Sequence, residues 1–261
     1  MIISASRKTD VPAFFAQEFY AALKKGYIDV TENSGNIKRV SLLKEDVDCI
    51  VFWTKNPSPM LEKLDLLEGY PYYFQFTLNP YGAKMEPGTS DKEKITAVFK
   101  RLSDRICPDR VVWRYDPVIL GGKNDIGWHV REFEKISGSL KGYAKRAVFS
   151  FYDAYGKLEQ RMKEFDVKKM SQSDMEKIAQ GFAEYSLRDG MELRTCAEAV
   201  DLQKYGIKRG KCVDDDLVRL INGGNRSFSS GGLRDFCGCA KSVDIGSYKT
   251  CVHGCRYCYA C

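Results

Sequence analysis

Nothing in this sequence is apolar over the roughly 18 residues that a membrane-spanning helix needs, so no span is expected. The first residues, Met1-Ile2-Ile3-Ser4-Ala5-Ser6-Arg7, lack the charged-then-apolar layout of a secretory leader and read as a strand. No linker, low-complexity tract or internal repeat interrupts the 261 residues. One domain over residues 1–261 is therefore expected, with 206–261 set apart as a cysteine-rich, Gly-rich segment. No block of five or more basic residues accompanies the formal charge of +6. Dispersed charges of this kind are mostly solvated faces, and they do not call for a nucleic-acid partner.

What the chain does have is cysteine: ten of them, six within the last twenty-five residues. Secreted disulfide scaffolds are usually much shorter, so metal ligation in a reducing cytoplasm is the expectation. The densest pattern is Cys251-Val252-His253-Gly254-Cys255-Arg256-Tyr257-Cys258, a C-x3-C-x2-C spacing. A cubane [4Fe–4S] cluster normally takes four thiolates. Three on one loop leave one iron open to a small chelating molecule. The alternative is a zinc knuckle completed by Cys261, which would close the site with four protein thiolates. Cys196, Cys212, Cys237 and Cys239 form a second set, for an auxiliary iron–sulfur cluster, for a structural zinc, or as small apolar core residues. Cys49 and Cys107 read as structural.

Short apolar runs suggest strands at Ile2–Ser6, Cys49–Thr54, Tyr72–Leu78, Arg110–Tyr115, Arg146–Tyr152 and Met191–Thr195. Segments with helical spacing lie between them at Val11–Lys25, Asp91–Ile106, Ile126–Leu140 and Ser171–Arg188. Ser90-Asp91 and Ser171 supply start signals, and Gly190 fits a helix end. Strand and helix in alternation imply an α/β fold with a parallel sheet. Periodicity alone leaves a barrel-type and a doubly wound sheet both open. In such folds chemistry gathers where strands end at their carboxyl side. Here all six ends are polar, and they carry Arg7, Lys55, Asn79, Arg114 with Asp116, Asp153 and Glu198.

These strand ends extend a resemblance that starts in the cysteine loop. Ser6-Arg7-Lys8-Thr9-Asp10-Val11-Pro12, Val51-Phe52-Trp53-Thr54-Lys55-Asn56-Pro57, Trp113-Arg114-Tyr115-Asp116-Pro117 and Cys237-Gly238-Cys239 through Tyr259-Ala260 carry it, together with Tyr257 before the third loop cysteine. The chain resembles the radical S-adenosylmethionine (SAM) enzymes, over essentially its whole length. Within them it looks like a branch long described only as a domain of unknown function, with its cysteine cluster at the C-terminus. The resemblance implies a partial (β/α)6 TIM-type barrel. It implies that Cys251, Cys255 and Cys258 hold a [4Fe–4S] cluster whose open iron binds SAM. One electron then yields methionine and a 5′-deoxyadenosyl radical. An electron donor such as flavodoxin or ferredoxin is the implied partner.

On that likeness Tyr257 offers backbone groups to the adenine. Arg114 is a candidate for the SAM carboxylate, and Asp116 for a ribose hydroxyl, with an internal Arg114–Asp116 pair as the plainer reading. Lys55 is a candidate substrate contact or proton donor, the plainer reading being a surface lysine. His253 either tunes the cluster, reaches substrate, or is a spacer. Asn79, Asp153 and Glu198 are candidate cofactor contacts, and Asp153, Glu198 and Asp235 candidate contacts for substrate hydroxyls or amines. His129 reads as a packing or surface histidine. The branch includes queuine lyase, which releases the cyclopentenediol from queuine and leaves 7-aminomethyl-7-deazaguanine. A small hydroxylated amine such as queuine suits the polar rim. Other readings are a radical SAM enzyme acting on another nucleoside-like molecule or on tRNA, and a non-catalytic iron–sulfur or zinc protein. Relatives tend to run on past Cys258, so a pocket-covering tail is not expected here.

Overall fold

The computed structural model describes residues 1–31, 35–89, 91–153, 156–224, 226–232 and 234–260. In chain order the strands are β1 (Ile2–Ala5), β2 (Tyr27–Thr31), β3 (Ile37–Ser41), β4 (Cys49–Thr54), β5 (Tyr72–Thr77), β6 (Val111–Val118), β7 (Arg146–Phe151), β8 (Glu192–Cys196), β9 (Lys208–Gly210) and β10 (Ser242–Asp244). The α-helices are α1 (Val11–Phe14), α2 (Ala16–Lys25), α3 (Ser58–Leu61), α4 (Lys92–Ile106), α5 (Ile126–Ser139), α6 (Lys157–Met162), α7 (Gln172–Arg188) and α8 (Asp215–Asn222). Eight strands form one parallel sheet in the order β10-β1-β4-β5-β6-β7-β8-β9. From β1 to β9 the order never reverses. Right-handed crossovers then place successive helices on the same face, so the doubly wound alternative is excluded. Among the described residues the two edges, β10 and β9, are not paired with each other, so the sheet is open.

The two faces differ because side chains alternate along each strand. One face carries Ile3, Ile50, Phe52, Phe74, Phe76, Trp113, Tyr115 and Phe149, packed against Phe19, Phe99, Phe133 and Phe182 of the helices. The other carries Ile2, Val51, Tyr73, Val112 and Val148. It is covered by Cys212, Val213, Leu217, Val218, Cys239 and Ala240 from the C-terminal segment. Higher along the same face, toward the carboxyl ends, stand Gln75, Arg114 and Ser150.

All six expected strands occur, with ends moved by up to three residues. Asp91 caps α4 by accepting from the Glu93 and Lys94 amides. Ser90, its expected companion, lies outside the described residues. Ser171 opens α7 with a reciprocal capping box to Asp174. One expectation is corrected: Val11–Lys25 is not one helix but two, broken at Phe15 (φ −129°, ψ 25°). The hairpin β2–β3 and the short edges β9 and β10 had no apolar signature. The hairpin is largely exposed, and each edge strand has only three residues.

Candidate functional site

A cleft opens at the carboxyl ends of β1, β4 and β5. The loop after β1 supplies Ser6 to Asp10, β4 supplies Trp53, Thr54 and Lys55, and β5 supplies Thr77. The C-terminal loop closes it with Cys251, His253, Cys255, Tyr257 and Cys258. All three thiols of the C-x3-C-x2-C motif therefore face one cleft. Among the described residues no three of the chain's thiols lie within 4.8 Å of one another, so this trio is spread rather than closed around a single ion. Cys261 lies outside the described residues. A broader depression sits at the other end of the sheet, beside Tyr72, Arg105 and Arg110, and contains none of the candidate residues.

Buried polar contacts fix the cysteine loop. His253 Nε2 lies 2.8 Å from Asp10 Oδ2, and its Nδ1 lies 3.0 Å from the Gly88 carbonyl oxygen. Both partners can only accept, so both ring nitrogens carry protons. Burial works against that imidazolium, but the Asp10 hydrogen bond and charge outweigh it and raise the pKa. Asp10 is saturated: Oδ1 caps α1 through the Ala13 amide at 3.0 Å, while Oδ2 also takes the Lys55 amide at 2.7 Å. The break at Phe15 ends α1 and leaves the Phe14 ring against His253, centroids 4.6 Å apart. Gly88 meets the loop backbone to backbone, its amide donating to the His253 carbonyl at 2.8 Å.

Glu86, only 1 % exposed, is the hub of a second network. Lys55 Nζ donates to Glu86 Oε1 at 2.8 Å and Lys92 Nζ to Oε2 at 2.7 Å. The Tyr257 hydroxyl donates to Glu86 and accepts from Lys55 at 3.0 Å and from Asn79 Nδ2 at 2.9 Å. Burial alone would raise the Glu86 pKa, but the two ammonium groups overcome it and hold the carboxyl at about 2. Burial likewise disfavours the Lys55 charge, yet Glu86, then Cys255, keep its pKa above the usual lysine value. Lys55 is thus held as an ammonium in a largely buried ion pair rather than as a free surface lysine. The Tyr257 side chain is buried in this network.

The other candidates lie along the rim. Arg114 pairs with Asp116 through two nitrogens, and Ser150 donates to the same carboxylate. Arg114 Nη1 also reaches Cys212 Sγ at 2.9 Å. The plainer reading of Arg114, an internal pair, is what the geometry displays, and neither Arg114 nor Asp116 lines the cleft. Asn79 ties the tips of β5 and β6 together through the Asp116 amide and carbonyl, each at 2.8 Å. Glu198 accepts from the Phe151 amide at 2.9 Å, and burial pushes its carboxyl up to about 7. Asp153 lies 3.4 Å from Arg234, and Asp235 is exposed. His129 is buried, between the Tyr115 hydroxyl and the Ile119 carbonyl.

The sequence reading missed Glu86, Lys92, Asp10 and Asp244. Asp244 holds the loop after β1, accepting from Ser4 Oγ at 2.9 Å, Ser6 Oγ at 2.6 Å and the Arg7 amide at 2.9 Å. Asp10 was within reach, since it stands in a quoted motif just before a helical segment with proline.

Fold and site together define an α/β protein with a singly wound parallel sheet and a cysteine-lined cleft at the strands' carboxyl ends. The chain belongs to the family described as Domain of unknown function (DUF1848), whose model matches residues 2–260. No curated protein matches it. Among solved structures it is similar to a candidate alpha-L-fucosidase from Bacteroides thetaiotaomicron VPI-5482, with 13% identity, 72% of this chain and 71% of that chain covered, and a TM-score of 0.28. So remote a likeness defines neither fold nor activity.

Proposed function

We propose that this protein is a radical SAM enzyme acting on a small polar substrate, and that its reaction is the lyase cleavage of queuine to 7-aminomethyl-7-deazaguanine. The observation that carries the class is the convergence of Cys251, Cys255 and Cys258 on one cleft with the motif stretches of β1 and β4. The open, singly wound sheet is read as the partial barrel of that class. The donor set fits a [4Fe–4S] cluster: three spread thiols, a fixed cation at Lys55 beside Cys255 and Cys258, and an amide from Ala260 to Cys258 Sγ at 3.4 Å. When bound, this group supplies the electron that splits SAM into methionine and a 5′-deoxyadenosyl radical able to take hydrogen from a substrate carbon.

The chain's own residues position and exclude. Asp10 and the Gly88 carbonyl hold the doubly protonated His253, and with it the turn between the first two cysteines. Glu86 anchors Tyr257 beside the third. The Lys55 ammonium offsets part of the negative charge that three thiolates bring into a buried site. Trp53 and Thr77 wall the cleft against water. Asp116, with one oxygen on Arg114 and the other on Ser150, and Glu198, which accepts from the Phe151 amide, stand outside the cleft lining and brace the neighbouring strand ends.

The test is anaerobic reconstitution with iron and sulfide, reduction with dithionite, and assay of 5′-deoxyadenosine with SAM, with and without queuine. Wild-type production that Cys255→Ala abolishes supports the class. Appearance of 7-aminomethyl-7-deazaguanine supports the substrate. No 5′-deoxyadenosine under either condition, and no SAM-induced change in the cluster's EPR spectrum, sinks the class. 5′-Deoxyadenosine without the deazaguanine product sinks the queuine assignment alone.

A further inference from the structure

We propose that Cys196, Cys212, Cys237 and Cys239 form a separate site for one tetrahedrally held zinc ion. This does not depend on the reading of the C-x3-C-x2-C loop. The four residues come from the end of β8, the loop after β9 and the C-terminal segment, yet their side chains pack in one cluster on the sheet's inner face. Cys212 is the centre. Its Sγ lies 3.0 Å from Cys196 Sγ, and the Cys239 thiol bonds both to Cys212 and to Cys237.

Spacing separates the possible occupants. Zinc–sulfur bonds of about 2.3 Å in a tetrahedron hold sulfurs roughly 3.8 Å apart. A cubane spreads its ligand sulfurs well beyond that, because several irons stand between them. The closest pair, Cys196 and Cys212 with sulfurs 3.0 Å apart, lies nearer the single-ion spacing than that of a cubane. The four form a string, since no three lie within 4.8 Å of one another. Its outer members, Cys196 and Cys237, are the half-buried ones, and they are the pair that would have to turn inward to complete a four-sulfur site around Cys212 and Cys239.

Donors reach two of the four sulfurs. Arg114 Nη1 donates to Cys212 Sγ at 2.9 Å. The Cys212 and Val213 amides donate to Cys239 Sγ at 3.2 and 3.4 Å. Outer contacts of this kind orient metal ligands and spread their charge. The central residue is itself fixed, its carbonyl accepting from the Tyr73 hydroxyl at 2.7 Å and from Gln75 Nε2 at 2.8 Å. Four thiolates and one divalent ion leave two negative charges, and Arg114 stands where one is offset. An ion here would pin the C-terminal segment to β8 and tie it, through Arg114, to Asp116. By contrast, the acidic run Asp214-Asp215-Asp216 caps α8 and pairs with Arg194, Lys211 and Arg219, so it carries no such reading.

The test uses the full chain with Cys251, Cys255, Cys258 and Cys261 all changed to Ala, purified anaerobically. Mass spectrometry should find one zinc per chain and no acid-labile sulfide. Replacement by Co²⁺ should give the thiolate charge-transfer and tetrahedral d–d bands of a four-sulfur site. Adding Cys212→Ser should abolish both, while adding Cys107→Ser leaves both intact. The cobalt spectrum reads ligation without relying on a variant that fails to fold. Iron with labile sulfide in the four-alanine protein overturns the proposal in favour of a cluster. A metal-free protein with a Cys196–Cys212 disulfide overturns it in favour of a redox pair.

Discussion

Glu86 shows how one residue decides the charge balance of the cleft. It meets two ammonium groups and a phenol while almost fully removed from water. Breaking a buried pair costs more than the pair contributes, because the surviving charge stays buried without its partner. Glu86→Ala should therefore destabilise the protein by about 3–5 kcal/mol, which lowers the melting temperature by roughly 10 °C at this chain length. Glu86→Gln should cost less, since the amide still accepts from Lys55. Equal melting temperatures for Glu86→Ala and wild type in calorimetry would refute the argument. A second buried group sets the acid limit. His129 is 0 % exposed, and its Nε2–H faces the Ile119 carbonyl, so its Nδ1 accepts from the Tyr115 hydroxyl. Burial lowers its pKa from 6.5 to about 4. Between those values the unfolded chain binds more protons, so stability is whole above pH 6.5 and drains as pH falls toward 4. At about 1.4 kcal/mol per unit the loss approaches ~3 kcal/mol. Glu198, whose carboxyl is raised to about 7, acts in the opposite sense over the same range, so wild type against His129→Phe isolates the effect: on going from pH 7 to pH 4.5 the urea midpoint of wild type should fall relative to that of His129→Phe. Of these two residues, His129 was legible as a packing residue because it lies in a periodic helix. Glu86 was not, because it stands in an irregular stretch that meets Lys55 only once β4 and β5 are paired.

At the scale of elements, the cleft depends on backbone surfaces meeting where no side chain fits. A Cβ on Gly88 would lie 2.7 Å from both the Cα and the carbonyl oxygen of His253. Those are backbone atoms, so the cysteine loop itself would have to move, at a cost of roughly 1–3 kcal/mol. Gly88→Ala should therefore reduce the iron bound after reconstitution and weaken the His253–Asp10 contact. Gly82→Ala, with nothing within 4 Å of its added carbon, is the matched control. Equal iron content in the two variants would show that the loop is placed by its side chains alone. The starts of α4 and α7 were readable because caps are local chemistry, written in Asp91 and in Ser171 with Asp174. The break at Phe15 was not. It arises from contacts on either side, Asp10 capping α1 and Phe14 resting on His253, which no helical period encodes. The edge strands β9 and β10 were hidden for the same reason, since three residues become a strand only when a long strand already lies beside them.

Across the whole molecule, the six long strands were legible from their apolar runs, but their single winding was not, because order is set by which neighbours pair. The sheet's inner face was also unreadable. Val51, Tyr73, Val112 and Val148 carry no mark of what covers them, and the cover comes from residues far along the chain. Val213, Leu217, Val218 and Ala240 lie at most 4 % exposed against that face. Fully burying a Val or Leu side chain is worth about 1.5–3 kcal/mol. Three such residues together rival a typical total stability of about 5–15 kcal/mol. The C-terminal segment is thus part of the core as well as the bearer of the cysteine loop. Deleting residues 206–261 should yield a chain that binds 1-anilinonaphthalene-8-sulfonate strongly and melts without a cooperative transition. Changing Cys251, Cys255 and Cys258 to Ala should leave a cooperative transition in place, because of the three only Cys255 is fully buried and none belongs to either main core. A cooperative melt from the shortened chain would mean that the outer face and its helices hold the sheet unaided, and that the segment's packing against Val51, Tyr73, Val112 and Val148 contributes little.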